Sequence, residues 1–252
     1  MNVDVNDNIK PTDLVMCLQE TANGQMHDRK PSYVEFFADN KSFIITRLLV
    51  EIYEQIHQFD KISVRTWTAG ERGATFYRAY QVMRDGKCVA LATGDWAVVD
   101  VQDGHIYRTS EIDLSNYESD EKPELSLPTR FRFDKDMEFH DAGAYTVQIS
   151  DCDMNMHMNN TRYHDMLWNR IDGILDKEVT SINIRYKTEA RCGDDIDVYV
   201  GKVTPEMAGD PNAEEVFGFR TLTRGKSNVE ALIGVRSIPE DKKVLRKKLE
   251  DL

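Results

Sequence analysis

The chain has 252 residues, enough for one large domain or two of ordinary size, and its 40% hydrophobic and 30% charged residues exclude a disordered composition. A net charge of −12 argues against nucleic-acid binding, which needs a basic face to displace counterions from phosphates. No apolar run reaches the roughly 18 residues of a membrane span, and MNVDVNDNIK, at the start, has neither the basic region nor the apolar core of a secretory signal. Cys17, Cys88, Cys152 and Cys192 form no CxxC pair, which argues against a zinc ribbon; read as reduced thiols, they point to the cytoplasm.

In chain order, Asn2 to Asn6 alternates like a short strand. Pro11 to Gly24 predicts a helix, with Pro11 near its start, Leu14, Cys17, Leu18 and Thr21 on one face, and Gly24 as its stop. SFIITRLLVEIYEQ and KISVRTWTAGE are rich in β-branched and aromatic residues, and Thr75 to Asp100 predicts a hairpin turning at Asp85-Gly86. The same order then recurs. Ala144 to Ser150 reads as a strand, and a helix from about Asn160 is predicted by Tyr163, Met166, Leu167, Ile171 and Ile174. VTSINIRYKTEA and DDIDVYVGKV follow as strands, and Glu215 to Ile238 predicts a hairpin turning near Arg224-Gly225.

Each half therefore reads strand, helix, then several antiparallel strands, an α+β arrangement in which the helix covers an apolar sheet face. The expected division is a first repeat over 1–108, an acidic linker over 109–139 with Pro123 and Pro128, a second repeat over 140–240, and a basic tail over 241–252.

The most informative stretch is SDCDMNMHMNNTRYHDML, Ser150 to Leu167. Asp151, Asp153 and Asn155 match the first positions of a calcium-binding EF-hand loop. Met156 stands where that loop needs glycine, however, and Arg162 where it needs glutamate. His157 and His164 lack a third ligand in register for a transition metal. Asn159 or Asn160 suits a helix cap. Asp153, Asn155 and His157, on alternate positions, suit a catalytic reading. A carboxylate serves as base or nucleophile, an amide orients, and an imidazole moves protons, beside helix N–H groups that stabilise an oxyanion.

Asp153-Met154-Asn155-Met156-His157-Met158-Asn159-Asn160 with Tyr163 resembles the D-x-N-x-H-x-N-N signature of plant and bacterial acyl-acyl-carrier-protein thioesterases. RYKTEARCGDDI is similar to the strand region bearing that family's catalytic glutamate. DLVMCLQETA, SFIITRLLVEI and GDWAVVD are similar to its first helix, the following strand and a tryptophan-bearing strand, so the resemblance spans about 2–238. It implies a tandem double hotdog, each repeat a long central helix wrapped by an antiparallel sheet. It also implies hydrolysis of acyl-carrier-protein thioesters to free fatty acids, with no cofactor and no metal. Asp153, Asn155, His157 and Glu189 are its implied working set. Many members carry a cysteine directly after the glutamate; here Ala190 stands there, and Cys192 lies two residues on, off the glutamate's face.

Aligning FDKISV with GDDIDV places Gln55 against Glu189, and the first half's junction, Val5 to Leu14, has no histidine. The second repeat is thus expected to be catalytic, and the first to build an acyl pocket from Leu14, Cys17, Leu18, Trp67 and Trp96. The expected partner is an acylated carrier protein, docked by Arg29 with Lys30 or by the Lys242 to Lys248 cluster. The assembly is left open between monomer and homodimer. The rival readings are an acyl-coenzyme A thioesterase, a non-catalytic acyl sensor and a hotdog hydratase.

Overall fold

Pro11, whose fixed φ suits a first helical turn, opens α1 (Pro11–Asp28). Leu14, Val15, Leu18 and Ala22 recur at spacings of three and four and bury one face of this helix against the sheet. The helix runs past Gly24, which meets no neighbour that would force a stop. Its last turn is held instead by Gln25 and Met26, which reach the sheet and a second apolar cluster. The computed structural model that shows this describes residues 2–240 together with 242 and 243, so nearly all of the basic tail, including most of the Lys242 to Lys248 cluster, lies outside the described residues.

After α1 come α2 (Tyr33–Ala38), with Ser32 and Glu35 forming a capping box, and strands β1 (Lys41–Ile52), β2 (Ile62–Arg72), β3 (Thr75–Arg84) and β4 (Lys87–Asp100). The second half holds β5 (His140–Thr146), α3 (Arg162–Trp168), β6 (Lys177–Tyr186), β7 (Asp195–Val203), α4 (Pro205–Ala208), β8 (Glu215–Thr223) and β9 (Lys226–Ser237). Both predicted hairpins form. Asp85 and Gly86, and likewise Arg224 and Gly225, occupy left-handed backbone conformations, as a two-residue turn between twisted strands requires.

All nine strands join one antiparallel sheet in the order β2-β3-β4-β1-β6-β9-β8-β7-β5. The halves meet where β1 pairs with β6, from Arg47 opposite Arg185 to Glu51 opposite Ser181. This is the α+β double hotdog, with α1 and α3 in contact over one continuous core.

Two further local expectations change. Asn2 to Asn6 is not a strand but the start of a tight loop closed by a bridge between Val3 and Ile9. The second helix is also short, only seven residues. Asn169 ends it, and Gly173, at φ 66°, turns the chain so that Ile174 begins a single 3₁₀ turn; helical spacing at Ile171 and Ile174 was compatible with a chain that had already left the helix. Residues 109–139 lie along the first and second repeats as a strap. The Trp67 indole N–H donates to Glu121 O (2.9 Å), the Leu127 N–H to the Glu51 carboxylate (3.0 Å), and the Asn183 amide to Pro128 O (2.8 Å).

Candidate catalytic site

The site is built on a loop whose backbone closes on itself. Asp151, buried, accepts from the Tyr145 hydroxyl (2.7 Å) and the Gln148 N–H (2.8 Å), which anchors the chain as it leaves β5. Cys152 and Met158 then pair across the loop, and the Asp153 N–H donates to His157 O (2.8 Å). Oδ1 of Asp153 accepts from the N–H of Asn155 (2.8 Å) and of His157 (3.3 Å). Met156 completes the turn at φ 62°.

A second ribbon brings the other acid. The Met158 N–H donates to Ala190 O (2.8 Å), the Cys192 N–H to Met156 O (3.2 Å), and His157 bridges to Arg191. These pairings set His157 Nε2 3.6 Å from Glu189 Oε1, with Arg191 Nη2 also 3.6 Å from that oxygen. The Arg224 guanidinium donates to Glu189 O (2.8 Å). Behind the ribbon, Asn228 donates to Thr188 O and to the Tyr163 hydroxyl (3.0 Å), and Tyr163 packs edge-on against Tyr186. From the first repeat, the Tyr33 hydroxyl reaches Met154 Sδ at 3.2 Å.

Asp153, His157 and Glu189 are therefore brought together. His157 ties the two acids, through its backbone N–H to Asp153 and its ring to Glu189. The Asn155 side chain stands exposed on the same loop, and the Glu189 side chain is half exposed, so solvent reaches the group. The helix N-terminus plays no part in this geometry. Residue 162, where α3 begins, lies five positions beyond His157; Asn159 Oδ1 takes the Thr161 N–H (3.0 Å) and Asn159 O takes that of Arg162 (2.9 Å). Asn160 does not cap with its side chain; its carbonyl accepts from the Tyr186 hydroxyl. Cys192 is exposed, and burial, then the Cys192 thiol beside it, raises the pKa of Cys152. Among the described residues, no group of three or more His, Cys, Asp or Glu side chains is arranged to hold a metal ion.

The residues expected to line an acyl pocket divide. Leu14 and Leu18 are closed into the core beneath α1. Cys17 is half-buried, and burial raises its thiol pKa. Trp67 faces the other side of the sheet, packed with Ala69, Ala79 and Tyr77 under the strap, because it alternates with Thr66, which faces α1. Trp96 packs with Phe76 and Phe36 in the first repeat's second cluster. Of two cavities of about 650 and 420 Å³, neither is lined by Asp153, Asn155, His157 or Glu189. The docking candidates Arg29 and Lys30 each face an acid, Glu118 at 3.6 Å and Glu35 at 2.9 Å.

A copy of the loop, not evident from the alternating sequence pattern, lies at the start of the chain, and the helix starts that follow the two loops touch, the Thr12 hydroxyl donating to Thr161 O (3.1 Å). Val3 bridges to Ile9 as Cys152 does to Met158, and the Asp4 N–H donates to Asn8 O (2.8 Å). Oδ1 of Asp4 takes the N–H of Asn6 (2.8 Å) and of Asn8 (3.0 Å). Asp7, at φ 64°, stands where Met156 stands, and the Ile9 N–H donates to Ile56 O (2.7 Å) as that of Met158 does to Ala190. Asn8 thus occupies the place of His157, and Gln55 that of Glu189. The signal was present as the D-x-N-x-N string Asp4 to Asn8.

Residues 1–117 match the family model of the acyl-ACP thioesterase N-terminal domain, and residues 134–233 that of the C-terminal domain. Among solved structures, the chain is similar to an acyl-ACP thioesterase from Bacteroides thetaiotaomicron (21% identity, 93% of each chain covered, TM-score 0.80). It is also similar to the 12:0-ACP thioesterase from Umbellularia californica (15% identity, 94% of this chain and 93% of that one, TM-score 0.70). No curated protein sequence matches it.

Proposed function

The chain belongs to the acyl-ACP thioesterase family, both domains of which it matches in order, and is a thioester hydrolase; from that premise we propose that Asp153, Asn155, His157 and Glu189 carry out the cleavage. The observation that supports this assignment is the 3.6 Å approach of His157 to Glu189 on a ribbon that also pins Asp153.

In this reading the thioester carbonyl lies over the loop. Oδ1 of Asp153 is held by two N–H groups, which leaves Oδ2 to act. Either Oδ2 attacks the carbonyl carbon to give a mixed anhydride, or it takes the proton of an attacking water. His157 protonates the departing thiolate, and Glu189 steadies the imidazolium and positions the hydrolytic water. Asn155 orients the carbonyl. The products are the fatty acid and the carrier's free thiol. The acyl chain runs into the first repeat, past Cys17 and Trp96. Each methylene buried there contributes about 0.8 kcal/mol, so chain-length preference is graded.

The test is release of free thiol from acyl-ACP, with acyl-coenzyme A as the competing thioester. Asp153→Asn and Glu189→Gln should remain folded and lose nearly all activity; full activity in either variant rejects the assignment. Single-turnover hydrolysis in labelled water tests the covalent route: label in Asp153 requires an anhydride opened at the aspartyl carbon, since direct attack by water labels the fatty acid alone. No helix among the described residues is long and apolar enough to cross a membrane.

A further inference from the structure

The interior of the first repeat is not apolar throughout. On the face of β2–β4 turned toward α1, one polar layer separates two apolar clusters. Leu14, Leu18, Tyr80 and Val82 lie on one side, and Phe36, Phe43, Phe76 and Val98 on the other. The layer consists of Arg78, Thr66, Gln25 and the indole N–H of Trp96.

Arg78 is only 9% exposed. Its Nη1 donates to Gln25 Oε1 (2.6 Å) and Thr66 Oγ1 (3.2 Å). Two neutral oxygens thus answer two of its five N–H groups. No carboxylate pairs with it among the described residues, and burial disfavours its charge. A guanidinium held out of water with neutral partners alone is costly unless something compensates it.

Trp96 is short of a partner in the same place. Its Nε1 is buried and makes no hydrogen bond; the Tyr80 hydroxyl lies beside it without acceptable hydrogen-bond geometry. This nitrogen stands directly over Gly94, where a Cβ would come within 2.7 Å of it. Gly94 is the cross-strand partner of Arg78 in β3–β4, so both donors occupy neighbouring positions on one face.

The cavity of about 650 Å³ reaches the edge of this layer. It is lined by Thr68, which pairs with Arg78 across β2–β3, by Phe76, two residues before Arg78 on the same face, and by Tyr117, close enough to Arg78 to feel its charge. The Tyr117 hydroxyl donates to Pro31 O (2.5 Å), and two residues further on Tyr33 touches Met154 of the catalytic loop. One short segment therefore borders both the cavity and the loop.

We propose that Arg78 and Trp96 form a specificity site for an oxygen carried on the acyl chain, so that the preferred substrate bears a hydroxyl, oxo or carboxylate group rather than a plain hydrocarbon chain. The proposal rests on the acyl-thioester reading of the catalytic loop. A plain chain leaves the indole N–H and the remaining guanidinium N–H groups of Arg78 without a protein partner; an oxygen gains a charge-assisted bond from Arg78 and a second from the indole.

The test is calorimetric binding to the intact protein of decanoic acid, its hydroxy and oxo derivatives at successive carbons, and decanedioic acid, which distinguishes the three oxygen sources. At least one oxygenated acid should bind about tenfold or more tightly than decanoic acid. Arg78→Met and Trp96→Phe should each move that ratio toward one, the former further. Arg78→Lys, which keeps a cation but loses the fork, serves if the methionine variant does not fold. Equal or tighter binding of the plain acid, or a ratio that survives the Trp96 and Arg78 changes, overturns the proposal and leaves a buried water as the layer's partner. Binding is read without turnover. Oxygen-dependent binding with no thioester cleaved would sink the catalytic assignment and not this site, and cleavage without oxygen preference would do the reverse.

Discussion

The loops at 3–9 and 152–158 share a backbone and differ in what they carry. In each, an aspartate Oδ1 gathers the N–H groups two and four residues ahead, a left-handed residue closes the turn, and the last residue's N–H docks on a carbonyl one position after the strand-end polar residue. In the first copy Asn8 and Gln55 are buried, at 3% and 5% exposure, and the Gln55 amide donates across to Val179 O (2.7 Å) of the other repeat. In the second, His157 and Glu189 face solvent. The loop conformation is thus a property of the fold; under the assignment proposed above, hydrolysis is a property of two side chains and their exposure.

The hardest test of that contrast converts the second copy into the first. His157→Asn with Glu189→Gln should lower thiol release by about 10²–10⁴-fold with an unchanged melting temperature, since Asn8 shows that the framework accepts an amide. A melting temperature that drops with the activity would mean the pair holds the loop together. The reverse exchange should fail. Asn8→His with Gln55→Glu places ionisable groups where water is excluded, and should cost about 3 kcal/mol in denaturant unfolding without adding turnover to an Asp153→Asn background. Gained turnover would show that exposure is not the deciding difference.

The helices that follow sharpen the comparison. Val15 lies three residues after Thr12, and His164 three after Thr161, and both are buried. Burial pushes His164 down to about 4 from 6.5, leaving it neutral in the fold. The unfolded chain therefore takes up the proton first as pH falls. Stability present above about pH 6.5 is lost between there and pH 4, up to about 3 kcal/mol from this group. His164→Val should flatten that acid limb while costing about 1 kcal/mol at neutral pH, where the 3.3 Å contact between Nε2 and the Tyr186 hydroxyl disappears. Melting curves at pH 7 and 5 check both. The smallest effect is expected at Cys192, exposed and off the face of Glu189: Cys192→Ala should keep its activity within about twofold.

Much of this was legible because local rules were obeyed. Asp85-Gly86 and Arg224-Gly225 announce their turns through the left-handed backbone they must adopt, and Leu14 and Leu18 announce α1 by spacing. The second helix is shorter than its pattern suggests because Ile171 and Ile174 keep helical spacing after the helix has ended at Asn169, with Gly173 turning the chain between them. Val3 and Val5 imitated a strand; Val5 is in fact exposed in a loop governed by Asp4. The residue type of Trp67 suggests a pocket, whereas only its alternation with Thr66 decides its face. Arg78 gave no signal at all, since a cation alternating along a strand ordinarily points to solvent.

The seam between β1 and β6 has one more consequence. Because the two halves share a hydrogen-bonded ladder, the covalent strap over 109–139 is not what keeps them together. A protease that nicks an exposed stretch such as 134–136 should yield two fragments on a denaturing gel and a single particle in solution, still able to turn over substrate.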